Sequence, residues 1–399
     1  MIQIKRENLD LLSGRHYNDY FVKKGFSTKL EDVTKNEKDP AKQKFFNSIL
    51  DQRKDIITGR PDVLHRIIQD FYTEHPEVMR KIDDYNLWKV RNKEHNKVKK
   101  DINKELKKEN HAITPELKEL LKKLEKIEIV KKMNDSQVEE IKKFVDKIGT
   151  IFNYDNFCNN YPKKAEKSWG AYELVKQLKV EVCPYCNRQY ITVSEPNEDE
   201  EGRTRPQLDH FYSKTRFPYF AVSFFNLIPC CYVCNSNLKR NQEFTVDTHI
   251  HPYKNGFGDL YQFTVQFKGG KNLDYLKNWY SNPDVFSIDF KVNEFEKCKY
   301  TEAELKVLIK RIENNKKTFK LKSLYNSHTD YVGEILLKSL RYDESKINSL
   351  CQEFPKLFPS KYDVVRVVYS NYVDATQLDR RALSKLTRDI TQEFGMKYI

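Results

Sequence analysis

Cys183-Pro184-Tyr185-Cys186 opens and Cys231-Tyr232-Val233-Cys234 closes the stretch on which the fold of this chain turns. Between them stand Gln207-Leu208-Asp209-His210-Phe211-Tyr212 and Phe225-Asn226-Leu227-Ile228-Pro229, and Asn235-Ser236-Asn237-Leu238-Lys239-Arg240 follows directly. Two Cys-x-x-Cys turns supply four thiolates, the number that tetrahedral zinc takes. The short spacing lets each pair approach one ion from a tight turn. Four sulfur ligands leave no open coordination position, so such a zinc is structural. Its binding adds folding energy on the order of 10 kcal/mol in small metal domains. A redox dithiol or an iron–sulfur cluster would use the same residue type, and zinc is favoured because both pairs flank one small module. Cys230 is out of register with the pairs and is expected to be buried and inert.

Outward from this stretch the periodicity changes. Near Gln177 a helical pattern gives way to short β-type runs, with Arg188 to Val193 expected as one strand and Gln207 to Tyr212 as another. The acidic loop joining them (Glu195, Glu198, Asp199, Glu200, Glu201) reads as a solvated tip. Upstream, Phe45, Phe46, Ile49, Leu50 and Ile56 repeat at helical spacing, Gly59 breaks the run, and Pro61 suits a first helical turn. From Trp88 to Lys132, Lys and Glu dominate. Thr114-Pro115 restarts a helix there, with Leu117, Leu120, Leu121, Leu124 and Ile127 on one face. A long charged helical hairpin is expected, either an arm for nucleic acid or a partner chain, or simply a solvated helix pair.

Downstream, Phe263 to Phe267 and Phe286 to Val292 read as strands. Thr301 with Glu304 makes a capping box ahead of Leu305, Leu308, Ile309 and Ile312. A last helix should bury Leu383, Leu386, Ile390 and Phe394 and stop at Gly395. The expected architecture is α+β and mostly helical. It comprises a Lys-rich helical region over 1–170, a small zinc-bound module over 171–260, and a C-terminal region over 261–399 of short strands, then helices.

The chain of 399 residues has room for two or three domains, and 39% hydrophobic and 13% aromatic residues are enough to build their cores. Lys and Arg number 71 against 58 Asp and Glu, a net charge of +13 that favours a polyanionic partner, although a merely Lys-rich cytosolic protein would share it. No run approaches the ~20 apolar residues that cross a membrane, and Met1 to Glu7 lack the apolar core of a signal peptide. The remaining cysteines, Cys158, Cys230, Cys298 and Cys351, are scattered, unlike a secreted disulfide framework, so a cytoplasmic location is expected. No Gly-x-x-x-x-Gly-Lys-Ser/Thr loop is present, so ATP hydrolysis is not expected of this chain.

Phosphodiester hydrolysis needs a base for water, a cation for the scissile phosphate and leaving oxygen, and groups that hold both. His210 has the pKa range of a base. Asp209 is a hard oxygen ligand for Mg²⁺ or Mn²⁺, and Asn235 offers a second, neutral one. Asn226 would tie the loop and orient the base. Singly these residues are weak signals: an Asp-His pair is more often structural, and an Asn at such a place is more often a cap or turn residue. Together they form an ordered set.

That set, Asp-His, then Asn, then Cys-x-x-Cys-Asn, resembles the HNH (ββα-metal) nuclease family over about Val182 to Arg240, in a His-Asn-Asn variant with Asn235 in place of the last His. The resemblance implies a base on a hairpin, a central Asn on the loop and the last metal ligand on a helix. The stretch is also similar to the HNH nuclease subunits of Septu-type and retron-linked phage-defence systems, as, less specifically, is Arg381-Ala382-Leu383-Ser384-Lys385-Leu386-Thr387-Arg388-Asp389-Ile390. It implies DNA cutting, with RNA also open, and a partner ATPase or sensor. Residues 1–170 carry no resemblance.

Lys214, Arg216, Lys239 and Arg240 flank the constellation and are expected to hold phosphates. Asp247-Thr248-His249-Ile250-His251-Pro252-Tyr253 reads as a turn closing the module rather than a second metal site. The leading expectation is a Mg²⁺- or Mn²⁺-dependent DNA endonuclease of defence or restriction. The competing ones are a zinc-stabilised nucleic-acid-binding module and an assembly subunit without cleavage of its own.

Overall fold

Prolines and side-chain caps start the N-terminal helices where the sequence places them. Asp39 accepts from the amides of Ala41 and Lys42 and caps Pro40–Asp51, which buries Phe45, Phe46 and Ile49. Gly59 closes the helix Arg53–Thr58, and a Cβ there would collide with the Asp55 carbonyl oxygen. Pro61–Glu74 follows. This computed structural model describes residues 1–108, 114–129, 133–159, 168–195, 202–268 and 285–397. The tip of the expected hairpin and Glu198 to Glu201 of the acidic loop lie outside them.

The hairpin itself is present. Its first helix, Pro76–Lys108, begins well before Trp88, and Pro115–Ile129 packs against it. Val98, Ile102, Leu117 and Ile127 form a small core of their own between the two. Most other buried hydrophobic residues among the described ones share one larger core that runs from Met1 to Met396 and draws on all three sequence regions. No described helix is long and apolar enough to cross a membrane.

Among the described residues four strands make two antiparallel pairs. β1 (Gln207–His210) pairs with β2 (Leu227–Cys230), Gln207 opposite Cys230 and His210 opposite Leu227. β3 (Tyr261–Phe267) pairs with β4 (Phe286–Val292) as expected. The expected strand Arg188 to Val193 is corrected. It contributes only a bridge between Tyr190 and Val182, because the first cysteine turn folds the chain back on itself. There Cys183 N donates to Gln189 O, and Ile191 N to Glu181 O. β2 is buried at all four positions, so it has no polar alternation to betray a strand.

Two segments remote in sequence brace the cysteine turns. Ile2 N donates to Pro184 O at 3.0 Å and Ile4 N to Pro252 O at 2.9 Å. Gly256 allows this approach, since a Cβ would stand 2.8 Å from the Gln3 amide. From the other end comes the helix Ser384–Glu393, whose polar side is buried along with Leu386 and Ile390. Lys385 pairs with Asp389 at 2.6 Å inside the core, and Asp389 also accepts from Phe263 N of β3 at 2.9 Å. Asn187, next to Cys186 and fully buried with φ 52°, receives the start of this helix. Its backbone oxygen accepts from Leu383 N at 2.7 Å and its Oδ1 from Lys385 N at 2.9 Å.

Candidate functional site

The four cysteines of the two turns converge. Their sulfurs all lie within 4.8 Å of one another, and all four residues are buried. The Cys186 and Cys231 sulfurs are 3.9 Å apart, far beyond the ~2.05 Å of a disulfide and close to the ~3.8 Å edge of a tetrahedron with ~2.3 Å metal–sulfur bonds. The crowded sulfurs hold the Cys186 thiol well below its usual range, Cys183 contributing most. The donor set fits one tetrahedral thiophilic ion with no position left over. Among the described residues no other group of three or more Cys, His, Asp and Glu ligand atoms assembles in this way. Cys230 is buried outside the cluster, as expected.

Beside the cluster, β1, β2 and the helical segment Val233–Lys239 follow one another as a ββα unit. The helical segment is wound wide: Arg240 N donates to Asn235 O, five residues back. Such windings recur at functional sites. A cleft of about 430 Å³ opens here, lined by Asp209, His210, Lys214, Asn235, Lys239 and Arg240 among others.

His210 is half-buried, and its Nε2 lies 2.8 Å from Ala221 O. A carbonyl oxygen only accepts, so Nε2 carries the proton and Nδ1 is the basic nitrogen. The Tyr154 ring meets the imidazole edge-on at 4.5 Å. Burial pushes the His210 pKa down to about 4. Lys214 and Lys239 add to the fall, and the Ala221 bond and Asp209 oppose it.

Asn226 holds the loop that carries Ala221. It is fully buried, its Oδ1 accepts from Tyr212 N at 2.7 Å, and its Nδ2 donates to Tyr212 O and Phe220 O at 3.0 Å each. This is the loop-tying geometry expected of it. The Phe220 bond fixes the residue next to Ala221, and so the carbonyl that meets His210 Nε2.

Asp209 is 4% exposed; its Oδ1 meets Lys239 Nζ at 2.7 Å and its Oδ2 accepts from Tyr185 Oη at 2.6 Å. Each carboxylate oxygen still has a second lone pair to offer. Asn235 donates Nδ2 to Gln207 Oε1 at 2.9 Å, which leaves its Oδ1 unengaged among the described hydrogen bonds. It lies within the helical segment and caps nothing. One carboxylate and one neutral amide oxygen line the same cleft, the donor types that a hard cation takes, with the Lys239 ammonium already on the carboxylate.

The four flanking cations divide. Lys214 and Arg240 are exposed, Lys214 lying 4.4 Å over the Tyr154 ring. Lys239 turns inward, 3% exposed, onto Asp209 and the His210 carbonyl. Arg216 is engaged by Asp83, Glu243 and the Tyr72 hydroxyl, which joins the loop to the long helix Pro76–Lys108. Both therefore differ from the free phosphate-holding cations expected, because each has a nearby carboxylate to neutralise it. The segment after Asp247 packs onto this unit: His249 stacks on Phe244 at 3.6 Å and His251 is buried against Phe211.

Tyr185, Tyr154, Ala221 and Gln207 belong to the site without having been expected there. Gln207 is within reach of sequence reasoning, since residues two apart on a strand share a face and Gln207 stands two before Asp209. Compared with known proteins, the chain matches no family model, no curated protein and no solved structure.

Proposed function

We propose that this chain is a metal-dependent endonuclease of the HNH (ββα-metal) type that hydrolyses phosphodiester bonds in DNA. The supporting observation is the fixed tautomer of His210, with Nε2–H on Ala221 O and Nδ1 left as a base, on a cleft shared with Asp209 and Asn235. Nδ1 takes a proton from water, and the Ala221 carbonyl stabilises the imidazolium that results. Asn226 keeps that carbonyl in place. Asp209 and Asn235 would hold a Mg²⁺ or Mn²⁺ ion, which when bound stabilises charge on the scissile phosphate and leaving oxygen. Cys183, Cys186, Cys231 and Cys234 would hold a structural zinc that fixes the helical segment carrying Asn235. A role as an effector of anti-phage defence or restriction, with a partner ATPase or sensor, rests on the sequence resemblance alone.

A plasmid-nicking assay tests the reading. Wild-type protein should nick with Mg²⁺ and not with EDTA. His210→Ala should lose roughly 10²–10⁴ in rate while keeping its DNA affinity, since a general base contributes to rate and little to binding. Wild-type protein that binds DNA but leaves it intact with Mg²⁺ would favour the zinc-stabilised binding module instead.

A further inference from the structure

We infer that the DNA backbone continues out of the His210 cleft, over Arg240, into an adjoining groove where Lys317 and Lys320 hold phosphates on one side of the cut. The inference rests on the nuclease reading and extends it to the C-terminal region, which has no part in the motif. The groove encloses about 660 Å³ and abuts the cleft, and Arg240 and Gln242 line both. Its far wall is the end of the helix Glu302–Thr318 and the turn beyond it, where Lys320 stands at φ 47°. Thr318 Oγ1 donates to Gln242 Oε1 at 3.1 Å, which joins that wall to the segment after the wide helical turn.

The charge balance of the groove is one-sided. Its one carboxylate, Glu243, is held by Arg216. Arg240, Lys317 and Lys320 are exposed, and no ion pair or side-chain hydrogen bond engages them among the described residues. Burial and Lys239 push His249, which also lines the groove, down to about 4, so it is neutral near pH 7. A lysine in a last helical turn also complements the helix dipole. That accounts for Lys317 taken singly, but not for three unpaired cations from two remote segments around one groove. A groove continuous with a hydrolytic cleft, with cations at intervals and neutral amides between them, suits a repeating phosphate backbone.

The test uses the full-length chain and a labelled DNA duplex. Lys317→Ala/Lys320→Ala is compared with wild type and with Lys306→Ala, an exposed lysine on the same helix outside the groove. Fluorescence anisotropy in EDTA over a salt series reads binding without cleavage, and nicking with Mg²⁺ reads KM and kcat separately. The double variant should bind roughly tenfold more weakly near physiological salt, and its log Kd against log salt slope should drop by about 0.9 for each phosphate no longer held. KM should rise at unchanged kcat, and Lys306→Ala should match wild type. Equal affinity and slope for the double variant, in a wild type that nicks, would overturn the phosphate track and leave the nuclease reading standing. Lysine-dependent binding in a wild type that never nicks would support the track and remove the nuclease reading. Weakening by Lys306→Ala equal to that of the double variant would reduce the effect to general charge and overturn the track.

Discussion

The hydroxyl of Tyr185 donates to Oδ2 of Asp209 across 2.6 Å, so a residue inside the first Cys-x-x-Cys turn reaches the carboxylate proposed to hold the catalytic ion. Burial holds the Tyr185 phenol well above its usual range, and it stays a donor at any working pH. Tyr185→Phe leaves Oδ2 short of a partner in a site only 4% exposed. The expected cost is about 1–3 kcal/mol of stability, with zinc content retained and more Mg²⁺ needed for half-maximal nicking. Melting curves and a Mg²⁺ titration check both, and identical values for mutant and wild type would mean the bond is idle.

Elemental analysis of purified protein should find about one zinc per chain that resists mild chelation, distinct from the exchangeable catalytic ion. Cys183→Ser should unfold or strongly destabilise the chain, because the ligand it removes is buried among the other three sulfurs. Iron in place of zinc, or a folded sample with no metal, would remove the structural zinc from this account.

Asn235→Ala should lose most nicking activity at little cost in melting temperature, since Asn235 caps no helix. Asn235→His should recover part of it, more in Mn²⁺ than in Mg²⁺, because imidazole suits first-row transition ions and Mg²⁺ prefers oxygen. Nicking rates in the two metals decide the point; a fully active Asn235→Ala excludes a ligand role.

Acid should destabilise the fold before its carboxylates titrate. His16 and His251 are buried, and burial lowers their pKa values to about 4 and about 3. Unfolding restores a value near 6.5, so below that pH the unfolded chain binds more protons and stability falls as pH falls. Each histidine contributes a slope of up to about 1.4 kcal/mol per pH unit until its folded value is reached. His251→Phe keeps a ring against Phe211 and removes one titration. Denaturant melts at pH 7, 6 and 5 should show the shallower slope; an unaltered slope contradicts the assignment.

The parts of the site that depend on local spacing were legible in the sequence. Each Cys-x-x-Cys turn is specified by four consecutive residues. The Thr301–Glu304 capping box and the strands β3 and β4 follow from local pattern and are present. The partner of β1 was not legible, because a four-residue run buried on both faces carries no period. Nor were the inward turn of Lys239 and the capture of Arg216 by Asp83, since both depend on carboxylates brought close only by tertiary packing. The buried polar face of Ser384–Glu393 misleads in the same way: Lys385, Arg388 and Asp389 read as solvent-facing until their partners are in place.

Asn187 stands beside a sulfur ligand yet receives a helix that begins at Ser384. Anyone excising the motif as a portable cassette would cut away the peptide on which that ligand turn closes. A graft onto another scaffold has to bring the stretch from Leu378 to Glu393 with it, because Asn187 donates to Leu378 O at 2.9 Å and accepts from Lys385 N. The conspicuous signature is thus only part of a unit that reaches to the helix Ser384–Glu393, and exchanging either part alone would strip Asn187 of the backbone groups it binds.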